Sequence, residues 1–183
     1  MRYDSKADTL EHIARVNSLL ISCCQNLQER AKVHDASKLT EPEKSAFDEH
    51  TGKLRGLTYG TPEYKQSLAA LGPALQHHYA KNSHHPEHFA VNECNICFKV
   101  FPKDWAENCN ACGNGGFTRR GGIEGMSLFD LMEMVMDWKA AGERHADGSI
   151  ERSLAINAPR FAISCQLQKV IENTAREMGW IKP

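Results

Sequence analysis

SLFDLMEMVMDWKAAGERH, Ser127 to His145, is the stretch on which the fold turns. Ser127 stands as a helix N-cap with Asp130 three residues on, the spacing at which side chain and backbone cap each other. Asp130, Glu133 and Asp137 then fall at i, i+3 and i+7, which lines three carboxylates along one helical face between apolar neighbours. Carboxylates stacked in that way repel one another unless cations compensate them. A buried metal centre would explain the face.

Working outward, the same helical grammar recurs. From Asp8 to Asp35 a cap at Asp8 or Thr9 precedes Leu10, Ile13, Val16, Leu20, Cys23 and Leu27, and this spacing predicts one long first helix. Thr40 with Pro42 and Glu43, and Thr61 with Pro62, predict two further N-termini. Pro73 predicts another, and the segment from Ile163 to Trp180 closes the chain as an amphipathic helix. No alternating strand pattern stands outside the cysteine-rich segment, so the body is expected to be all-α, a single domain over 1–183.

The chain has 183 residues, 41% hydrophobic and 25% charged, with a net charge of −1. That balance argues against a broad nucleic-acid surface, and no apolar run is long enough to span a membrane. With a polar N-terminus in place of a signal sequence, a cytoplasmic protein is expected, free to form homo-oligomers.

The segment 91–122 breaks the helical pattern. Cys94-x2-Cys97 and Cys109-x2-Cys112 offer two thiolate pairs to one tetrahedral ion, and Gly113, Gly115 and Gly116 suit the tight backbone of such knuckles. A structural Zn²⁺ bound by Cys94, Cys97, Cys109 and Cys112 is expected. With four protein ligands and no open position, it folds a loop and does not catalyse.

ALQHHYAKNSHHPEHF, Ala74 to Phe89, holds five of the nine histidines. Helical neighbours diverge by about 100°, so only one of His77 and His78 faces inward; continuing from Leu71, Ala74 and Leu75, that one is His78. His77, His50 and His145 are expected on the surface. The adjacent pair His34-Asp35 lets one metal take an imidazole nitrogen and a carboxylate oxygen, with Asp35 free to bridge to a second ion or a water.

The order His12, His34-Asp35, central histidines, Asp137 on a helical chain resembles the HD-domain superfamily, metal-dependent enzymes most of which hydrolyse phosphate esters. More closely, HDASKL, LTYGTPEYKQSL, HHYAKNSHHPEHF, MSLFDLMEMVMDWKAA and NAPRFAISCQL resemble a family of small phage and bacterial proteins, a likeness that supplies no activity. The HD resemblance implies an HD-like helical bundle with a zinc-ribbon-like insertion. It implies His12, His34, Asp35 and Asp137 as ligands of a first metal, with His78 and His85 holding a second in the two-metal branches. One or two divalent ions (Mn, Fe, Co, Zn or Mg) are therefore expected at that centre. HHPEH departs from the Gly-Tyr-Pro signature of cyclic-dinucleotide phosphodiesterases and argues against that substrate.

The expected function is hydrolysis of a nucleotide or another small phosphate ester, in the host cytoplasm if the chain is phage-encoded. Asp35 or Glu133 orients the water, and a histidine of HHPEH, taken as His88, protonates the leaving oxygen. Lys38, Arg15, His84 and Arg160 are the substrate-binding candidates, with Lys38 also beside the reacting phosphate. Two alternatives stand beside this: a diiron oxygenase of HD type, and a non-enzymatic zinc-knuckle module that presents Arg119 and Arg120 to a partner.

Overall fold

The computed structural model describes residues 3–58, 61–102, 107–145 and 148–182. The chain forms two compact units, Met1–His34 and Asp35–Pro183. The first is helix α1 (Lys6–Val33), capped at Ser5, so it begins just before the expected Asp8. Asp8 lies in its first turn, Arg30 and Lys32 in its last, each charge matched to the helix dipole.

The second unit opens with a 3₁₀ turn, Ala36–Leu39. It continues through α2 (Lys44–Arg55), α3 (Pro62–Ala69) and α4 (Gly72–Lys81). Strands β1 (Val91–Cys94), β2 (Val100–Pro102) and β3 (Phe117–Arg120) follow, then α5 (Leu128–Gly142), α6 (Ile150–Arg160) and α7 (Cys165–Glu177). The body is thus helical, as expected, and the described strands all fall inside the cysteine-rich segment. No described helix is long and apolar enough to cross a membrane.

Local chemistry sets the helix starts. Ser127 accepts from the Asp130 amide while the Asp130 carboxylate accepts from the Ser127 amide, a complete capping box. Thr61, Ser149 and Ser164 cap α3, α6 and α7 through the amides of Tyr64, Arg152 and Leu167. One expected start is corrected: α2 begins at Lys44, not after a cap at Thr40, because the Glu43 side chain turns inward to two histidines rather than back to the Thr40 amide. Helix α6 has no counterpart in the sequence reading. Its buried positions include Ser153 and Asn157 beside Ile150 and Leu154, which blunts the apolar periodicity.

The main core gathers Met134, Val135 and Trp138 of α5, Ile150, Leu154 and Ala158 of α6, and Ile171 and Ala175 of α7. Trp138 stacks on Phe161 with ring planes 10° apart. This three-helix core holds α5 rigid, and α5 carries the acidic face.

The sheet is antiparallel in the order β2-β1-β3, with Asn92 opposite Arg119 and Val91 opposite Arg120. Its exit is pinned to the chain segment that enters it. At Gly121, φ +85°, a Cβ would lie 2.2 Å from the Phe89 carbonyl oxygen, so only glycine permits the approach.

Met134 is 1% exposed in the main core, whereas Met132 on the same helix is 43% exposed. Met134→Ala is expected to lower unfolding free energy by about 2–5 kcal/mol in urea titration. Met132→Ala should stay within about 0.5 kcal/mol. Equal losses would contradict the assignment of the core to that face.

Candidate metal centre

The four cysteines of the insert come together. Their sulfurs lie within 4.8 Å of one another, with Cys94 Sγ 3.5 Å from Cys112 Sγ and Cys97 Sγ 3.4 Å from Cys109 Sγ. A disulfide would close to about 2 Å, whereas thiolates on a tetrahedral zinc at about 2.3 Å stand about 3.8 Å apart. The cluster therefore suits a metal ion such as zinc.

The two knuckles are near copies. The Phe98 amide donates to the Cys94 carbonyl at 3.0 Å, and the Gly113 amide to the Cys109 carbonyl at 2.8 Å. Phe98 (φ 58°) and Gly113 (φ 73°) turn the chain through the same left-handed conformation after the second cysteine of each pair. The Cys97 amide, working against burial, draws the Cys94 thiol down to about 6. Against the Asn114 amide that lowers it, burial and the neighbouring thiols push Cys112 up to about 12. Of the basic pair at the end of β3, Arg119 is described; the Arg120 side chain lies outside the described residues.

A second cluster forms in the helical body from residues remote in sequence. Asp35 follows α1 with a left-handed backbone (φ 56°), a conformation aspartate tolerates better than most residues. Its Oδ1 lies 3.3 Å from His78 Nε2 and 3.4 Å from His84 Nε2, and His78 Nε2 lies 2.9 Å from His85 Nε2. Asp35, His78, His84 and His85 thus offer four ligand atoms within 4.8 Å of one another. A carboxylate oxygen of Asp137, on α5, comes within the same distance of Asp35.

The far side of each inner imidazole is held by a carboxylate. His78 Nδ1 donates to Glu43 Oε2 at 2.8 Å, and His84 Nδ1 donates to Glu133 Oε1 at 3.1 Å. This orients both rings and turns their Nε2 atoms toward Asp35. Burial, with the charges of His84 and His78 adding to it, lowers His85 to about 3, so its imidazole is neutral. Three imidazoles and a carboxylate facing one point form a donor set that could hold a metal ion.

Glu43 anchors the arrangement. It is 0% exposed, accepts from His77 Nδ1 at 2.7 Å and from Ser37 Oγ at 2.9 Å, and Asn82 Nδ2 in turn donates to Ser37 Oγ. Burial raises its carboxyl, but the hydrogen bonds from His77, Ser37 and His78 outweigh that and hold it below the ordinary range. Asp35 is likewise raised by burial and drawn well below the usual carboxylate range by His78, His84 and Lys38, whose Nζ is 2.6 Å from Oδ2.

A cleft of about 1590 Å³ opens beside the cluster, with Asp35, His78, His85 and Asp137 in its wall. Arg119, Arg144, Arg152 and Arg160 also line it, as do Phe47 and Tyr64.

The expected site residues fall into distinct places. His12 and Arg15 lie on α1, and His34 is the last residue of the first unit. His84, expected at substrate, is buried in the donor cluster. Glu133 holds His84, and Asp130 is engaged by Ser127 and by Ser83 Oγ at 2.6 Å. Arg160 pairs with Glu87 at 2.6 Å, and His88 Nδ1 bonds the Tyr79 carbonyl. His77, expected on the surface, is half-buried on Glu43; His50 and His145 are also partly buried. Glu43 was missed altogether, since a glutamate in a first-turn position carries no sign of a partner 34 residues away.

The model of the family of unknown function DUF5662 matches residues 1–177, and the chain belongs to that family. No curated protein and no solved structure matches it.

Two outcomes are expected from substitution. Cys109→Ser should release one zinc per chain, measured by elemental analysis, and lower the melting temperature, since a closed zinc site contributes directly to folding. Glu43→Gln keeps the size but cannot accept from two imidazoles with two carboxylate oxygens. It should weaken metal binding at the histidine cluster by about 10–100-fold in chelator competition while leaving the cysteine zinc in place. Unchanged affinity would remove Glu43 from its anchoring role.

Proposed function

We propose that this member of the DUF5662 family is an HD-type metal-dependent phosphohydrolase acting on a nucleotide or another small phosphate ester. The observation that carries the proposal is the convergence of Asp35, His78, His84 and His85 within 4.8 Å at the wall of a cleft that is also lined by four arginines. The sequence likeness to HD-domain enzymes supports it.

Asp35, His78, His84 and His85 would hold a divalent ion, which when bound would supply Lewis acidity toward a phosphoryl oxygen and lower the pKa of a water. The protein's own groups do the rest. Glu43 and Glu133 keep the imidazoles of His78 and His84 aimed, each through an Nδ1–H hydrogen bond. Because Glu133 is engaged by His84, and Asp35 by His78, His84 and Lys38, orientation of the attacking water falls to Asp137, which lines the cleft beside Asp35. Lys38 faces the same cleft from its contact with Asp35 and sits 4.9 Å from the Phe47 ring centre, where its charge meets a bound phosphoryl group. His77 lines the cleft with its Nδ1 fixed on Glu43. As the imidazolium it would present Nε2–H to the leaving oxygen, the role expected of His88, which is bound to the Tyr79 carbonyl instead.

The test is release of phosphate from nucleoside mono-, di- and triphosphates with added Mn²⁺, Co²⁺ or Mg²⁺. Activity is expected with at least one class, and Asp35→Ala or His78→Ala should lower it by more than about a hundredfold with the helical circular dichroism retained. Metal-independent activity, or full activity in both variants, would refute the proposal.

A further inference from the structure

The arginines of the cleft differ in their partners. Arg160 is neutralised by Glu87 at 2.6 Å, but among the described residues no acidic side chain pairs with Arg119 or Arg144. An uncompensated guanidinium in a concave wall favours an anionic ligand. Arg119 is the more informative of the two, because it belongs to the cysteine-bound insert and not to the helical body.

The strand that bears Arg119 is an edge strand, held along one side by β1 and the knuckle that follows it. Asn92 of β1 lies opposite it, and the neighbouring Thr118 donates to Asn95 Oδ1 at 2.8 Å, within the first cysteine knuckle. The Asn95 amide donates to the Gly116 carbonyl at 3.1 Å, just before β3 begins. The four-cysteine cluster thus sets the position of β3, and β3 sets where the guanidinium enters the cleft. Lys38, beside the donor cluster, is paired with Asp35 at 2.6 Å and stands where the proposed function puts the reacting phosphoryl group. The cleft is larger than the roughly 300–1,000 Å³ of common ligand sites, leaving room for a longer anion.

We propose that the zinc-binding insert is the specificity element of the site: Arg119 binds a phosphate group other than the one being hydrolysed, which makes the substrate class an oligophosphate such as a nucleoside di- or triphosphate. This rests on the phosphohydrolase reading for the nature of the ligand, and it is tested by binding rather than by turnover.

Inorganic tripolyphosphate and orthophosphate, as their magnesium complexes, are titrated into the full-length metal-loaded protein by calorimetry. Metal content is checked before and after each titration. Arg119→Ala is expected to weaken tripolyphosphate binding about tenfold or more while changing orthophosphate binding by less than about twofold, and Arg119→Lys should recover part of the loss. No loss, or equal losses for both ligands, would overturn the role of Arg119 and leave the phosphohydrolase reading standing. Failure of the wild-type protein to bind either ligand would overturn both. A single-stranded oligonucleotide that binds through Arg119 when tripolyphosphate does not would assign the surface to a nucleic-acid backbone and overturn the proposal.

Discussion

A fully buried carboxylate, Glu43, is the constraint to which the helical half of the site answers. Removing a charge from water costs several kcal/mol unless partners replace the lost hydration. Here His77, His78 and Ser37 replace it at 2.7–2.9 Å. The bonds tie the start of α2 directly to the end of α4, beside the contacts that each makes with the intervening α3. They also have a chemical consequence. By engaging Nδ1 of His78, Glu43 turns Nε2 toward Asp35 and His85.

The acidic face of α5 meets the same requirement in another way. Three carboxylates at helical spacing suggest one compensating ion, yet each has a different partner. Asp130 is spent on the capping box and on Ser83, one residue before His84. Glu133 takes the His84 imidazole, and Asp137 reaches the neighbourhood of Asp35. Repulsion along the face is relieved by donors from the histidine loop at its first two positions. The helix therefore works as a ruler. Because its core face is packed by α6 and α7, the capping serine, the Glu133 contact and the Asp137 contact are spaced by the helical rise.

What could be read from the sequence was what is decided within a few residues. The Ser127 cap, the Thr61 and Pro62 start and the two Cys-x2-Cys knuckles all close through partners no more than five residues away, and the structure shows each of them. The inward choice of His78 over His77 also held, because it follows from a helix face. Contacts that join distant segments left no such trace. Glu43 reads as a first-turn acid, His77 as a solvent-facing neighbour, and α6 as an irregular segment because two of its buried positions are polar. His84 and His85 sit in a loop where no periodicity tells which ring turns inward. Their roles are set by Glu133, fixed 49 residues further on for His84, and by the proximity of Asp35 and His78.

The insert and the histidine loop are mechanically one piece. β1 starts at Val91, directly after the segment that carries His84, His85 and His88, and the chain leaves β3 through Gly121 against the Phe89 carbonyl. Its own core, Cys94, Phe101 and Cys109 with Phe117 beside them, is far too small to order three strands of three or four residues unaided. Bound metal at the four thiolates would supply that order. Both ends of the ribbon bear on one short loop. The order supplied at the cysteines therefore passes to the backbone that aims His84 and His85 as well as to the strand that presents Arg119. Metal bound at the four cysteines would in this way bear on the geometry of the histidine cluster.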